Sequence, residues 1–329
     1  MKVPSSIIKK LESNSTFMIS THIQPDGDGI GSSLALMLSL NNMGKKACVI
    51  LSDDIVIPSN LSFLPGFSDI LSPKDLDENV KYDCGIVLDA GTLDRIGNVS
   101  KYMVERTQEI LNIDHHVTGS AFGSDNWIES ESSSTGEMIY ELIEALGGKV
   151  DCDIATCIFT AICTDTGSFS YSNTTSKTFE IAGKLVSHGV RVDSINQEIY
   201  ENRSYSSLAA LSECILNMKF VAGCRGALII VTRELMDRYR LAEEDVDDFI
   251  TYARALNGVE VACCLREFSE NRIRVGLRSK KIVDVAALAL TYGGGGHVRA
   301  AGCVLNMPVS EAVEVISAAI DKAIMEASV

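Results

Sequence analysis

The sequence has little of what marks a fibrous, secreted or membrane protein. Its 329 residues include only 6 prolines and one tryptophan, and aromatic residues account for 6%. Ten cysteines are present, but no Cys-x-x-Cys pair occurs, so we expect reduced thiols rather than a zinc site, an iron–sulfur cluster or a disulfide framework. No apolar run is long enough to span a membrane, and the N-terminus lacks the pattern of a signal peptide. These absences predict a cytoplasmic protein.

Basic residues are also scarce. The chain has 29 Lys and Arg against 44 Asp and Glu, which gives a net charge of −15. Such an excess of acid argues against binding long nucleic acids or anionic membranes. Most of it lies in residues 1–190, with a net charge of −12, whereas residues 266–299 carry +4. The basic stretch is therefore the more favourable part of the chain for an anionic substrate.

The length and the 46% hydrophobic content predict a globular α/β protein with two medium-sized domains. In the first half, helical patterns separate short apolar runs at 16–20, 46–51, 84–90 and 109–114. Strands that alternate with helices are typical of a doubly wound parallel sheet. We expect this N-terminal domain to cover residues 1–190.

A second alternation of apolar runs and helical patterns follows. The runs at 259–267 and 272–278 are so close that they predict a hairpin, and therefore a mixed sheet in a smaller C-terminal α/β domain at residues 219–329. A helical pattern is expected at 242–256. Residues 191–218 are helical and amphipathic without a strand signal, which predicts a helical linker.

The first polar motif comes directly after the first apolar run. His22, Asp26 and Asp28 lie in the loop His-Ile-Gln-Pro-Asp-Gly-Asp-Gly, and Pro25 and the glycines favour a tight turn in which the two carboxylates converge. Asp and Gly are also common turn residues, and Asp28 could instead cap the following helix. For this motif alone, a metal site and a simple turn remain open alternatives.

Further metal-competent side chains end later elements. Asp89 ends the third apolar run, Asp114-His115-His116 ends the fourth, and Asp165 ends an apolar helix. Because parallel strands present their carboxyl ends at one edge of a sheet, we expect these groups to share a crevice with the first motif. Four aspartates and two histidines suit two divalent ions bridged by a shared carboxylate. Oxygen and imidazole ligands without thiolate favour Mn²⁺ over Mg²⁺ or Zn²⁺.

A glycine run marks the second half. Gly293, Gly294, Gly295 and Gly296 precede His297 and Arg299, a pattern that predicts backbone amides open to an anion, with two side chains to bind it. A flexible linker is the alternative, but a linker would not continue into His-x-Arg and an apolar Ala-Ala-Gly. Arg278, at the end of a strand, is a further candidate for the same anion site.

In this combination and order, the motifs resemble the DHH phosphoesterase superfamily with its DHH-associated C-terminal domain. The resemblance covers nearly the whole chain and is greatest to the nanoRNase and pAp phosphatase (oligoribonuclease) subgroup. It implies that two Mn²⁺ ions, or Mg²⁺ as the alternative, are bound by His22, Asp26, Asp28, Asp89, His115 and Asp165.

The resemblance also implies roles for the remaining motif residues. His116 would bind the scissile phosphate, and Asp114 would orient the cluster. Across a cleft between the domains, the other part of the substrate would be bound by Arg278, Gly294, Gly295, Gly296, His297 and Arg299.

The function that follows is hydrolysis of short oligoribonucleotides or dinucleotides, and of 3′-phosphoadenosine-5′-phosphate (pAp), by in-line attack of a hydroxide that bridges the two ions. The alternatives are a phosphodiesterase for cyclic dinucleotides or pApA, a single-strand exonuclease for longer substrates, and a nucleotide-binding sensor without catalysis. A longer-substrate exonuclease would need a basic groove with stacking aromatics. We expect a small nucleotide or short single-stranded RNA as partner, without long duplexes or membranes. A homodimer is also expected, because dimers are common in the family.

Overall fold

The computed structural model describes residues 2–53, 55–77, 79–116 and 120–327. The chain divides between Asn202 and Arg203 into two compact units, each with a hydrophobic core of its own. Among the described residues, no helix combines the length and the apolar composition needed to cross a membrane.

The first unit contains the four strands that the sequence pattern predicts, together with a fifth strand at Asp125–Ile128, which was not predicted. Its elements are α1 (Ser5–Ser13), β1 (Thr16–Ser20), α2 (Gly27–Asn42), β2 (Lys46–Val49), β3 (Tyr82–Leu88), α3 (Val99–Arg106), β4 (Thr107–Asp114), β5 (Asp125–Ile128), α4 (Thr135–Ala145), α5 (Cys152–Asp165), α6 (Ser176–Ser187) and α7 (Val192–Tyr200). The described strands form one sheet in the order β2-β1-β3-β4-β5, and every pair in it is parallel.

Helices cover both faces of this sheet. Phe17 and Ile19 of β1 belong to a core that includes residues of α2, α4 and α5. Met18, between them, points to the other face and joins a second apolar cluster with Val87 of β3 and Met103 of α3. Burial on both faces explains why β1 is a continuous apolar run rather than an alternating one. The predicted doubly wound parallel sheet is confirmed.

The order of the strands reverses beside β1. From β1 the chain passes through α2 to β2 on one side, whereas β3, β4 and β5 lie on the other side. The helix after β1 packs on one face of the sheet, and α3, after β3, packs on the opposite face. Such a reversal opens a crevice at the carboxyl ends of the strands, where doubly wound sheets bind their ligands.

Glycines allow α2 to pack closely on α5. A Cβ atom at Gly31 would lie 2.5 Å from the carbonyl oxygen of Cys157, and one at Gly27 would lie 2.5 Å from the side chain of Thr164. Both distances are shorter than real Cβ contacts. The close approach brings the start of α2 against the end of α5, where Asp165 lies.

Replacing Gly31 by alanine tests this packing. We expect Gly31→Ala to lower the free energy of unfolding by roughly 1–3 kcal/mol, because the backbone of α5 must shift to accept the methyl group. The control is Gly183→Ala at an exposed position of α6, where nothing lies within 4 Å of the added Cβ. This change should stabilise the protein by roughly 0.5–1 kcal/mol. Urea unfolding measures the stability of both variants. An unchanged midpoint for Gly31→Ala would contradict close packing of α2 on α5.

The second unit contains a mixed sheet. Its elements are α8 (Tyr205–Leu216), β6 (Lys219–Val221), β7 (Gly226–Val231), α9 (Arg233–Tyr239), α10 (Phe249–Ala255), β8 (Val261–Ser269), β9 (Arg272–Ser279), α11 (Val285–Leu290), β10 (Gly295–His297), β11 (Ala300–Leu305) and α12 (Val309–Glu326). The described strands lie in the order β10-β11-β9-β8-β7-β6. The pair β7–β8 is parallel and the other pairs are antiparallel. The predicted hairpin and mixed sheet are confirmed.

The segment 191–218 forms two helices rather than one. Helix α7 packs in the core of the first unit through Ile195, and α8 packs in the second unit through Ala210 and Leu211. A new helix begins after Ser204, whose hydroxyl accepts a hydrogen bond from the N–H of Ser207 at 3.0 Å. Each half of the segment therefore belongs to one of the units, and the division between the units falls inside it.

The helical pattern at 242–256 forms a shorter helix than predicted. A 3-10 turn at Glu244–Val246 comes first, and the helix itself covers only Phe249–Ala255. Helix α9, just before this segment, escaped the sequence analysis. Thr232 caps its start, because its side chain accepts a hydrogen bond from the N–H of Leu235. The seven residues of the helix are too few to show a helical period clearly.

Candidate metal centre

The predicted metal-binding residues of the first unit meet at the carboxyl edge of its sheet. His22, Asp26 and Asp28 follow β1, and Asp89 follows β3. His115 comes directly after β4, and Asp165 is the last residue of α5. The side chains at the strand ends therefore come together as expected, at the reversal of strand order beside β1.

One cluster is built around His22. Its Nε2 atom lies 3.4 Å from Oδ2 of Asp89 and 3.8 Å from Oδ1 of Asp26. One potential ligand atom from each of the three residues lies within 4.8 Å of the other two. His22 and Asp89 are buried, whereas Asp26 is exposed. This arrangement has the size of a metal-binding group.

A second cluster is built around His115. Its Nε2 atom lies 3.6 Å from Oδ2 of Asp28, 3.5 Å from Oδ1 of Asp89 and 3.6 Å from Oδ2 of Asp165. Potential ligand atoms of Asp28, Asp89 and His115 again lie within 4.8 Å of one another. Asp89 thus belongs to both clusters and offers one carboxylate oxygen to each.

Asp28 does not cap its own helix. That position is taken by Asp26, whose Oδ1 accepts hydrogen bonds from the N–H groups of Asp28 and Gly29 at 3.0 Å. The carboxylate of Asp28 instead accepts the N–H of Thr135 at 2.8 Å and that of Gly136 at 2.9 Å. These are the first amides of α4, whose helix dipole favours a negative charge at this end. The alternative of Asp28 as a simple helix cap is wrong.

The backbone of Asp89 is strained. Its φ angle is +55°, in the left-handed region that residues other than glycine rarely adopt. Its N–H donates to the carbonyl of Ile113 at 3.0 Å, which ties the turn to the neighbouring strand. Strain of this kind is found at functional sites, and here it occurs at the carboxylate that both clusters share.

Both histidines of the Asp114-His115-His116 motif are oriented by oxygen acceptors. Nδ1 of His115 lies 3.3 Å from the carbonyl oxygen of Ser132. Because a carbonyl oxygen can only accept, Nδ1 carries the hydrogen of this bond. The other ring nitrogen, Nε2, faces the carboxylates. Oδ1 of Asp114 lies 2.7 Å from Nδ1 of His116 and accepts its backbone N–H at 3.1 Å. Asp114 therefore fixes the orientation of the His116 ring.

Like charges crowd this site. Burial raises the pKa of Asp28 well above its ordinary value, and the charges of Asp89 and Asp165 raise it further. Burial also raises the pKa of Asp165 to about 6. Burial by itself would lower the pKa of His22 and His115, but the neighbouring carboxylates outweigh it and raise these values to about 10 and about 9. The site favours added positive charge.

The donor set fits divalent cations. Carboxylate oxygens and imidazole nitrogens are the ligands that Mn²⁺ and similar ions accept, and they converge here in two groups joined by Asp89. Cations would also offset the repulsion between buried carboxylates, which is costly when left uncompensated.

Thr135 was not identified from the sequence. This residue begins α4 and is fully buried, and its Oγ1 donates a hydrogen bond to Oδ1 of Asp89 at 3.2 Å. Only the Ser-Thr-Gly-Glu start of a helix was visible in the sequence. The contact with Asp89 depends on the folded chain, so no local pattern could have identified it.

Three predicted substrate-binding residues lie close together in the second unit. Residues that stand opposite each other on neighbouring strands share a face of the sheet. Here His297 on β10 pairs with Ala300 on β11, and Ala300 in turn pairs with Arg278 on β9. His297 and Arg278 therefore point to the same face, with only the small side chain of Ala300 between them. The carbonyl of Arg299 accepts the N–H of Ser279 at 3.1 Å, which holds Arg299 beside the end of β9.

The glycine run is partly a strand rather than an open loop. Gly295 and Gly296 belong to β10 and pair with Gly302 and Ala301. The N–H of Gly294 donates to the carbonyl of Ala289 at 3.0 Å, so in this conformation it is not available to an anion, contrary to expectation. A Cβ at Gly294 would lie 2.1 Å from the carbonyl oxygen of Gly302. Close backbone packing is thus a separate reason for glycine here.

Comparison with known proteins assigns the family. Residues 16–162 match the N-terminal domain of the DHH family, and residues 230–326 match the DHHA1 domain. The chain belongs to the DHH family. The resemblance inferred from the motifs is therefore confirmed for both halves of the chain.

Relatives and solved structures agree with this assignment. The chain is 33% identical to the bifunctional oligoribonuclease and PAP phosphatase NrnA of Thermus thermophilus, over 93% of this chain and 88% of that protein. The NrnA of Bacillus subtilis is 24% identical over 91% and 92% of the two chains. A crystal structure of an exopolyphosphatase-related protein from Bacteroides fragilis has a TM-score of 0.89 at 31% identity, and the match covers 97% and 95% of the chains.

Divalent cations should stabilise the protein through these clusters. At an Mn²⁺ concentration one hundred times the Kd, we expect a gain of about 2.7 kcal/mol, visible as a higher Tm. Asp89→Asn should lose most of this Mn²⁺-induced shift because both clusters lose the charge of a shared ligand. The control is Asp83→Asn at the other end of β3, which should keep the full shift. Equal shifts in the two variants would contradict the clusters as metal sites.

Proposed function

We propose that this protein is a two-metal phosphoesterase that hydrolyses short oligoribonucleotides or dinucleotides and pAp. The observation that carries the proposal is that two His/Asp clusters share the carboxylate of Asp89. Both clusters lie at the carboxyl edge of a parallel sheet. The relatives named oligoribonuclease and PAP phosphatase, which match most of the chain, support this choice of substrates.

The proposed metal ligands are His22, Asp26, Asp28, Asp89, His115 and Asp165. We propose Mn²⁺ as the preferred ion, because the ligands combine imidazole with carboxylate and include no thiolate. Two bound divalent ions would supply an activated water and would neutralise charge at the reacting phosphate. The chain itself contributes the fixed orientation of the ligands, through β1, β3, β4 and the start of α4.

His116 is the proposed group that contacts the scissile phosphate. Burial by itself would lower its pKa, but the hydrogen bond to Asp114 and the charge of Asp89 raise it. Asp114 accepts the hydrogen on Nδ1, so in the protonated ring, which the raised pKa favours, Nε2 is the nitrogen that would donate a hydrogen bond, or a proton, to the phosphate or the leaving oxygen. Asp114 has no contact with substrate in this scheme and acts as a positioning residue.

Arg278, His297 and Arg299 are proposed to bind a further phosphate or nucleotide of the substrate. Arg299 is held by a hydrogen bond from its Nη1 to the carbonyl of Val283 at 2.7 Å. The loop that carries this carbonyl is itself fixed by Glu260, whose carboxylate accepts the N–H groups of Lys281, Ile282 and Val283 at 3.0, 2.6 and 3.0 Å. A pre-oriented guanidinium suits recognition of phosphate.

The charge of the chain favours a small substrate. A net charge of −15 opposes the accumulation of long nucleic acids by electrostatic attraction. A short nucleotide needs only a metal centre and one further anchor. We keep cytoplasmic location and homodimer formation as part of this proposal.

A substrate panel tests the function. The protein with Mn²⁺ is incubated with a short oligoribonucleotide, pAp, pApA, pGpG, a cyclic dinucleotide and a long single strand, and the products are separated by chromatography. We expect hydrolysis of the short oligoribonucleotide and of pAp. Ligand-induced shifts of Tm without turnover of any substrate would instead support the nucleotide sensor.

Removal of His116 should slow the reaction without removing the metal ions. We expect the kcat of His116→Ala to fall roughly 10²–10⁴-fold, the contribution of a positioned acid or base. Asp28→Ala should be inactive, because a proposed ligand is lost. The matched control is His188→Ala, at the exposed end of α6. Release of nucleotides from a short oligoribonucleotide measures all three, and near-wild-type activity of His116→Ala would exclude its proposed role.

Removal of Arg299 should weaken binding of substrates that carry a second phosphate. For Arg299→Ala we expect KM for pAp to rise roughly 10- to 100-fold, the effect of losing a charge-assisted hydrogen bond. Bis(p-nitrophenyl) phosphate has only one phosphate, so its KM should stay the same. Arg272→Ala, on an exposed residue of β9, is the control. Equal changes for both substrates would contradict a specific phosphate contact.

A further inference from the structure

We propose that Thr135 is a positioning residue that holds Asp28 and Asp89 in the geometry needed to bind both metal ions. The inference rests on the proposed two-metal function and extends it to a residue outside the ligand set. Its basis is a pair of hydrogen bonds from one residue to two carboxylates, those of Asp28 in the first turn of α2 and of Asp89 after β3.

Two groups of Thr135 make these contacts. Its backbone N–H donates to Oδ2 of Asp28 at 2.8 Å, and its Oγ1 donates to Oδ1 of Asp89 at 3.2 Å. Thr135 has no exposed surface. Because the first turn of α4 supplies both donors, the relative position of the two carboxylates depends on a single rigid element.

The hydroxyl of Thr135 differs from the other donors around Asp89. His22 and His115 also approach this carboxylate, at 3.4 Å and 3.5 Å, but the nitrogens that do so are proposed metal ligands, and a nitrogen bound to a metal ion has no hydrogen to donate. The hydrogen on Nδ1 of His116 is directed to Asp114 at 2.7 Å. The Thr135 hydroxyl is not a proposed ligand, so it keeps its hydrogen bond to Asp89 when ions are bound.

The start of α4 is well suited to this task. The side chain of Ser134 caps the helix by accepting the N–H of Glu137 at 3.1 Å, and the N–H of Gly136 donates to Asp28 beside that of Thr135. A Cβ at Gly136 would lie 2.5 Å from the Cβ of Ala161, so α4 packs tightly on α5. The donors are therefore fixed before any ion binds, as expected of groups that orient metal ligands.

The test compares Thr135→Val with Thr135→Ser in the full chain. Valine removes the hydroxyl but keeps the backbone N–H and nearly the same volume, whereas serine keeps the hydroxyl. Calorimetric titration with Mn²⁺ measures affinity without reference to catalysis. We expect Thr135→Val to bind Mn²⁺ roughly 10- to 100-fold more weakly, the usual effect of losing a partner of a metal ligand. Thr135→Ser should bind close to the wild-type affinity, and excess Mn²⁺ should restore activity to Thr135→Val.

A matched control separates positioning from general destabilisation. Thr178 is also fully buried, and its hydroxyl donates to Oε2 of Glu137 at 3.1 Å, a carboxylate outside both clusters. Thr178→Val should lower Tm through the loss of this bond and leave the Mn²⁺ affinity unchanged. Circular dichroism checks that each variant is folded; Thr135→Ala takes the place of Thr135→Val if valine prevents folding.

Two results would overturn the proposal. One is wild-type Mn²⁺ affinity in the variant that lacks the Thr135 hydroxyl. The other is an equal loss of affinity in Thr178→Val, which would mean that any weakening of this core releases the ions. A wild-type protein that binds Mn²⁺ but hydrolyses no phosphoester would contradict the proposed function, while the difference between valine and serine would still support the role of Thr135.

Discussion

Repulsion between buried carboxylates around Asp89 is the constraint that organises the first unit. The fold brings Asp28 and Asp165 close to this residue, at a cost that only hydrogen bonds and added positive charge can offset. Backbone amides and imidazole nitrogens beside these carboxylates provide part of that compensation. The start of α4 donates amides to Asp28, and His22 and His115 carry nitrogens to the centre. Bound cations would supply the remaining compensation.

The sequence predicted the fold class and the metal-competent side chains because both depend on local signals. Apolar runs that end in Asp or His identify strand ends, and parallel strands gather those ends at one edge. Thr135 could not be found in this way, since its contact with Asp89 crosses 46 residues of chain. The positive φ of Asp89 was equally invisible, because tertiary packing rather than residue type imposes it.

The second unit shows a different limit of sequence reasoning. The glycine run predicted amides open to an anion, and the structure uses part of it to pair with β11 and to end α11. A run of glycines alone does not distinguish a ligand-binding loop from a segment whose backbone packs closely against another strand. His297 and Arg278, by contrast, lie on one face of the sheet because both stand opposite Ala300 on β11.

The contact between Asp28 and the start of α4 also affects how the metal centre assembles. The two residues that meet there are 107 positions apart, so a chain segment of that length must close before Asp28 reaches its donor. An early, partly folded chain therefore holds the ligands without their geometry, and ions gain their full binding energy only in the native unit. Interactions that form only after the transition state of folding act mainly on the rate of unfolding. The metal centre would accordingly lengthen the lifetime of the folded protein more than it would speed folding.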